Sequence, residues 1–505
     1  MLSLNLLLAW YFLPAVIVGA PNNNHHEAPP PNSNHIFNTI YASMRHDASS
    51  LYPTGVSFFL ATVPRGTQFY HGSGSPDPVR GLEWLAFEPE HALGFAHRSE
   101  QHGHRHVRGQ EGLVKHTADA GRNSAQHPLS SDEPDDSANK TAGYLHTYVT
   151  TKDLRLLYLD GMSGTRGHAL DAQDRILFND TIGSEPDRVS ETGIGGPPIE
   201  QERAILACKM AKDVWNDRID GLIRTEADFE IILCNFERDL EVAYITRARP
   251  QSGREYHGKP HRDERFQQQD NHDEERRRPR EEKRSRKDKP GAALTKPEGK
   301  HIPKHKGPRK GRQSRFNDLA GHQVVIDFEH FVTAYTYDLD LFPDNSTSPS
   351  LDHIPTEKLE PIREDINNMI LTVDPPSHPF NWQSTVDRIK AAYSDVLHRL
   401  ARGHFRSMIS LREELEHVLE PFIDYRDTGD WASVTYRCQE SFIPKYITDD
   451  TLVVHVVRHI SHEICSAMTL PLADSEIDAK TATKLFHELV EYLAWTPRRK
   501  HGRHP

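Results

Sequence analysis

The chain has 505 residues, enough for two or three domains. Its 36% hydrophobic and 27% charged residues, 34 prolines and mean hydropathy of −0.68 exclude a polytopic membrane protein and a uniformly packed globule. The net charge of −12 is unevenly spread: residues 251–315 hold 21 Lys+Arg against 11 Asp+Glu, about +10, which leaves about −22 for the rest.

In chain order, residues 1–20 (MLSLNLLLAWYFLPAVIVGA) form an apolar run, short for a membrane span and closed by the small residues Val18-Gly19-Ala20. That pattern predicts a signal peptide; an uncleaved anchor is the alternative. Residues 21–35 are polar and Pro/Asn-rich and are expected to be disordered. From 36 to 98, SFFLATV, TQFYHG and EWLAF have strand character and EPEHALGFA that of a short helix. Residues 99–142 form a His-rich polar insertion. YLHTYVT and LRLLYLD are two further strands, and EQERAILACKMAKDVWNDR is helical, with Ile205, Cys208, Met210, Ala211 and Val214 near one face. DGLIRT and FEIILCNF follow as strands, so residues 36–250 read as an α+β domain.

Residues 251–315 lack apolar periodicity and are expected to be a disordered basic linker. VVIDF and FVTAYTYDL, within 316–345, are expected to return as strands to the first domain, and 346–380 to be a second linker. The segment 381–497 reads as a helical domain of four helices, one of them carrying Val386, Ile389, Tyr393, Leu397 and Leu400 at spacings of three and four. Cys208, Cys234, Cys438 and Cys465 suit an oxidising compartment. Three connectivities are open, a pair within each half being the simplest. Asn139, Asn179 and Asn345 head glycosylation sequons.

Three segments carry candidate chemistry. One strand ends in Tyr70-His71-Gly72-Ser73; an aromatic-led strand and helix read WLAFEPEHALGF; and a later apolar strand, FEIIL, is interrupted by Glu230. In this order the segments resemble the ADP-ribosyltransferase superfamily, in its His–aromatic–Glu class, over about residues 55–245 less the insertion. The chain is also similar to a group of secreted fungal proteins of unassigned function. The resemblance implies a split β-sheet domain followed here by the helical part, with NAD as substrate. It implies catalytic roles for His71, Trp84 and Glu230, and cofactor contacts from Gly72, Ser73 and Phe95. His71 would bond a ribose hydroxyl, Gly72 would hold the nicotinamide amide, and Trp84 and Phe95 would sandwich the ring. Glu230 would stabilise the oxocarbenium ion as nicotinamide leaves, a role in which a carboxylate in a dry site is most effective. A flat aromatic face suits a pyridinium.

Each segment also has a structural explanation: a strand-end His, an apolar strand and helix, or a Glu on a solvated face. His97, His102, His104 and His106 could collect a metal, but nothing fixes a geometry, and no metal is expected. ETGIGGPP lacks the phosphate-loop Lys. Arg277-Arg278 and Lys283-Arg284 offer dibasic cleavage sites or a polyanion-binding stretch. The expectation is a secreted, monomeric ADP-ribosyltransferase or NAD glycohydrolase with a protein acceptor, no nucleic acid partner and no membrane span in the mature chain. The alternative is a catalytically inactive secreted binding or surface protein on the same fold.

Overall fold

The computed structural model describes residues 29–45, 55–98, 141–161, 172–182, 197–225, 229–248, 324–343, 346, 349–376, 379–426, 429–447 and 451–495. The signal-peptide, basic-linker and dibasic expectations lie outside them, as do Asn139, Asn345, the GIGG segment and all of the His-rich insertion except Thr141 and Ala142. The chain divides into two compact units. The larger takes in Asn38–Ala334 and Leu339–Gln383; the smaller takes in the residues up to Phe37, Tyr335–Asp338 and Ser384–Pro497.

The larger unit is built on a nine-stranded sheet, in the order β10-β6-β2-β3-β9-β8-β7-β1-β11. The strands are β1 Ser57–Val63, β2 Gln68–Ser73, β3 Glu83–Ala86, β6 Tyr144–Thr150, β7 Leu154–Leu159, β8 Gly221–Thr225, β9 Phe229–Leu233, β10 Leu240–Arg247 and β11 Val325–Thr333. A separate ribbon joins β4 His97–Arg98 to β5 Thr141–Ala142. All neighbours run antiparallel except β7 and β8. A parallel pair needs a long crossover, supplied by a π-helix, Ala172–Leu177, and helix α3, Pro197–Asp213. β8 and β9 are buried at every residue, which is why neither shows the apolar–polar alternation of a strand with one solvated face.

The remaining helices of this unit are short: α2 Pro89–Leu93, α4 Phe236–Asp239 and α5 Glu360–Thr372. Helix α5 corrects the expectation of a plain linker over 346–380. Its buried Ile362, Ile366, Met369 and Ile370 follow helical spacing, and it packs along β11. Arg155 and Arg218 donate to the carbonyls of Ile370 and Val373 at its end. Prolines at 355, 361, 375 and 376 disguised it as a linker. The return over 316–345 is one described strand, β11, followed by a 3₁₀ turn at Ala334–Thr336. Helix α3 is rotated from the expected face: Ile205 and Val214 are exposed, and Ala204, Ala207, Ala211 and the following Trp215 are buried.

Helix α1, Ser33–Ala42, begins within the segment expected to be disordered. The smaller unit takes its core from α6 Trp382–Leu400, α7 Met408–Leu419, α8 Trp431–Glu440, α9 Leu452–Ala473 and α10 Ala479–Leu493, one helix more than expected. Ser407, Asp430 and Asp478 cap α7, α8 and α10 by accepting from backbone N–H groups three residues on. The disulfides are Cys208–Cys234 and Cys438–Cys465, the within-half pairing. The second staples α8 to α9. Among the described residues no helix is long and apolar enough to cross a membrane.

Candidate functional site

Strand register decides which candidate residues can meet. Tyr70 pairs with Ala86, Ala86 with Glu230, and Glu230 with Arg224, so these four lie in one row on one face of the sheet. Alternation puts Trp84 and Ile232 on that face and His71 on the other. The contacts agree. Trp84 packs with Ala86, Ala92, Ala204 and Ile232, and Tyr70 and Phe95 lie against this cluster. His71 instead meets the rings of His146 at 6.1 Å and Phe236 at 5.9 Å, edge on. The structure therefore brings Trp84, Phe95 and Glu230 to one face and sets His71 and Ser73 on the opposite one.

On the first face Glu230 belongs to a buried ionic network. Its Oε1 accepts from Arg224 Nε at 2.7 Å, and both side chains are fully buried. Arg224 Nη1 lies 2.8 Å from Glu200 Oε2 and donates to Gln173 Oε1 at 3.3 Å. Glu200 in turn pairs with Arg203, which holds Asp174 through two further bonds. Two buried polar atoms on this face, Glu230 Oε2 and Trp84 Nε1, have no hydrogen-bond partner among the described residues. Gly72 lies under α2: a Cβ there would stand 2.1 Å from the Ala92 carbonyl oxygen and 2.8 Å from the Ala96 nitrogen. Its missing side chain makes room for helix–strand contact.

On the second face a different cluster forms. His71 Nδ1 donates to the Trp84 carbonyl at 2.7 Å. His146 Nε2 donates to the Ser75 carbonyl at 2.8 Å, and its Nδ1 stands 3.2 Å from the Tyr148 hydroxyl. That hydroxyl accepts from Val79 N–H at 2.9 Å. Ser73 Oγ accepts from Ser75 N–H. Burial pushes the Glu83 carboxyl up to about 8 and the Tyr148 phenol up to about 12, and it lowers the His146 imidazole below its ordinary value. His146, Tyr148, Arg224 and Glu200 were not singled out in the sequence. Arg224 had a signal, a lone cation in an apolar strand six residues before Glu230.

Residues 27–249 match the YPL277C N-terminal domain family. The chain is 31% identical over 209 residues to the uncharacterized protein YPL277C of Saccharomyces cerevisiae, covering 41% of this chain and 41% of that protein. It is 32% identical over 215 residues to the uncharacterized protein YOR389W of the same yeast, covering 41% of this chain and 32% of that one. The match thus spans less than half the length of either relative. No solved structure matches the chain.

Proposed function

We propose that the protein is a secreted binding or surface protein whose larger unit uses His71, Trp84 and Glu230 to build its core rather than to cleave NAD. The observation that carries this is the placement of His71 on one face of the sheet and of Glu230 on the other. A His and a Glu that must grip one ribose cannot do so from opposite faces. Glu230 is moreover spent on Arg224 in the interior, where a carboxylate is tolerated only when paired. Secretion is supported by the apolar N-terminal run and by the two cystines, which persist in oxidising compartments.

One observation favours the enzymatic alternative, an NAD-dependent ADP-ribosyltransferase or NAD glycohydrolase. Glu230 Oε2 and Trp84 Nε1 share a face and lack partners among the described residues, as an acceptor and a donor awaiting a hydroxyl would. Nicotinamide release from NAD by the full chain separates the two, with Glu230→Gln as control. The expected result is no release from either and no heat on titration with NAD. Release by the wild-type chain that disappears in a folded Glu230→Gln variant would establish the enzyme.

A further inference from the structure

The loop between β2 and β3, Gly74–Leu82, crosses the face that carries His71 and His146. Three of its backbone groups are tied to side chains beneath or beside it. Ser75 O accepts from His146, Val79 N–H donates to Tyr148, and Gly81 N–H donates to Glu237 Oε2 at 2.5 Å. Phe236 N–H also donates to Gly81 O at 2.9 Å. Val79 is 7% exposed, whereas Pro76, Asp77, Pro78 and Arg80 face solvent.

These bonds fix the protonation of His146. A carbonyl only accepts, so Nε2 carries a proton for Ser75. Burial disfavours a charged ring, so Nδ1 is left bare and accepts the Tyr148 proton, while Tyr148 accepts from Val79. The ring is therefore a neutral imidazole that donates on one side and accepts on the other. A second proton at Nδ1 breaks the bond from Tyr148, whose hydroxyl must turn its own proton away.

Among the described residues the Ser75 carbonyl and Asp77 favour the charged ring, and burial outweighs both. His146 is fully buried and paired in register with His71, another buried imidazole. Its other neighbour in the sheet is Ile245, on β10. Glu83 on β3 is held protonated at neutral pH by burial. Asp77 attracts charge from the exposed loop, more weakly than burial disfavours it. Glu237 is engaged by Gly81, and Arg80 is a cation on the same loop.

We infer that His146 and Tyr148 form an acid-sensitive latch that holds the β2–β3 loop closed at neutral pH and releases it when His146 takes up a second proton. The sign follows from linkage. The closed loop binds fewer protons at His146 than the open one, so closure is complete above the ordinary histidine range near 6.5 and is lost as pH falls below it.

Hydrogen exchange of the full chain tests this, read on the peptide covering residues 74–82 and corrected for intrinsic exchange. Protection of that peptide should fall by about tenfold or more between pH 7.5 and pH 5. In His146→Gln, whose amide can still donate to Ser75, protection should not change with pH. Tyr148→Phe, which removes the Val79 tether by a single atom, should exchange fast at both pH values. Protection unchanged at pH 5 in the wild-type chain would overturn the latch. So would a pH response that survives in His146→Gln or Tyr148→Phe, or one abolished by His71→Gln and not by His146→Gln.

Discussion

Arg224 and Glu230 face each other across β8 and β9 with no exposed surface, and Arg224 is held by Glu200 as well. Removing Arg224 leaves Glu230 buried without its cation, and removing Glu230 leaves Arg224 with Glu200 alone. Glu230→Gln or Arg224→Met should each lower stability by about 3–5 kcal/mol, read from urea unfolding of the larger unit. The double variant Arg224→Met/Glu230→Leu should recover most of that loss. A Glu230→Gln variant as stable as the wild type would show that the pair carries no structural weight, and would return Glu230 to a functional role. Gly72 supports a second comparison. Gly72→Ala should cost about 3 kcal/mol, because the added carbon meets helix backbone that cannot move away as a flexible side chain could. If Gly72 served only a ligand, thermal unfolding of Gly72→Ala would match that of the wild type. At this scale the sequence singled out Glu230 correctly as an acid inside an apolar strand. Its meaning depended on a cross-strand partner and a strand register that no local pattern encodes. The face that His71 takes was illegible for the same reason: a strand-end His-Gly looks identical whichever way the imidazole points.

Strand periodicity was legible wherever a strand had one buried face or two. SFFLATV, TQFYHG, EWLAF, YLHTYVT, LRLLYLD, GLIRT and FEIIL all became strands within a residue or two. β10 was missed because Leu240–Arg247 is mostly exposed and carries an irregularity between Val242 and Tyr244, which breaks the alternation. Helix α8 was missed because only Val434 and Cys438 of its residues are buried. The return of β11 to the first domain was legible, but its position in the sheet was not. It lies at the end of the sheet opposite β10, the strand that precedes it in sequence. β1 lies between β7 and β11, and its Phe59 stacks on Phe331 at 4.9 Å and meets Phe328 edge on. The family match ends at residue 249, before β11. Residues 27–249 expressed alone should therefore present a bare apolar edge at β1 and self-associate, as sedimentation would show. Supplying residues 324–342 in trans should suppress the association. A monodisperse, fully protected 27–249 fragment would mean that β11 is an accessory strand.

At the scale of the whole molecule the two units should respond differently to pH, because their buried ionisable groups differ. In the smaller unit burial lowers the imidazoles of His35, to about 4, and of His398 and His459. Groups depressed in this way bind fewer protons folded than unfolded, so this unit loses stability only as pH falls below about 6.5. The larger unit has the same acid limb through His146, but it also contains Glu83, whose carboxyl is pushed up to about 8. A raised carboxyl binds more protons folded than unfolded. Its contribution is complete below the ordinary carboxylate range and is lost as pH climbs to about 8. Stability of the larger unit should therefore peak below pH 6.5, where the two limbs balance, and decline from there to about pH 8, while that of the smaller unit levels off above 6.5. Hydrogen exchange in mild denaturant separates the two, with peptides from β9–β10 reporting one and peptides from α9 the other. Between pH 6.5 and pH 8 the β9–β10 peptides should lose protection and the α9 peptides should not. In Glu83→Gln, which keeps the volume and cannot ionise, the alkaline decline should disappear while the acid limb stays. Equal alkaline losses in both units would assign the effect to a property of the whole chain such as its net negative charge. An alkaline limb that survived Glu83→Gln would place the responsible group elsewhere in the sheet.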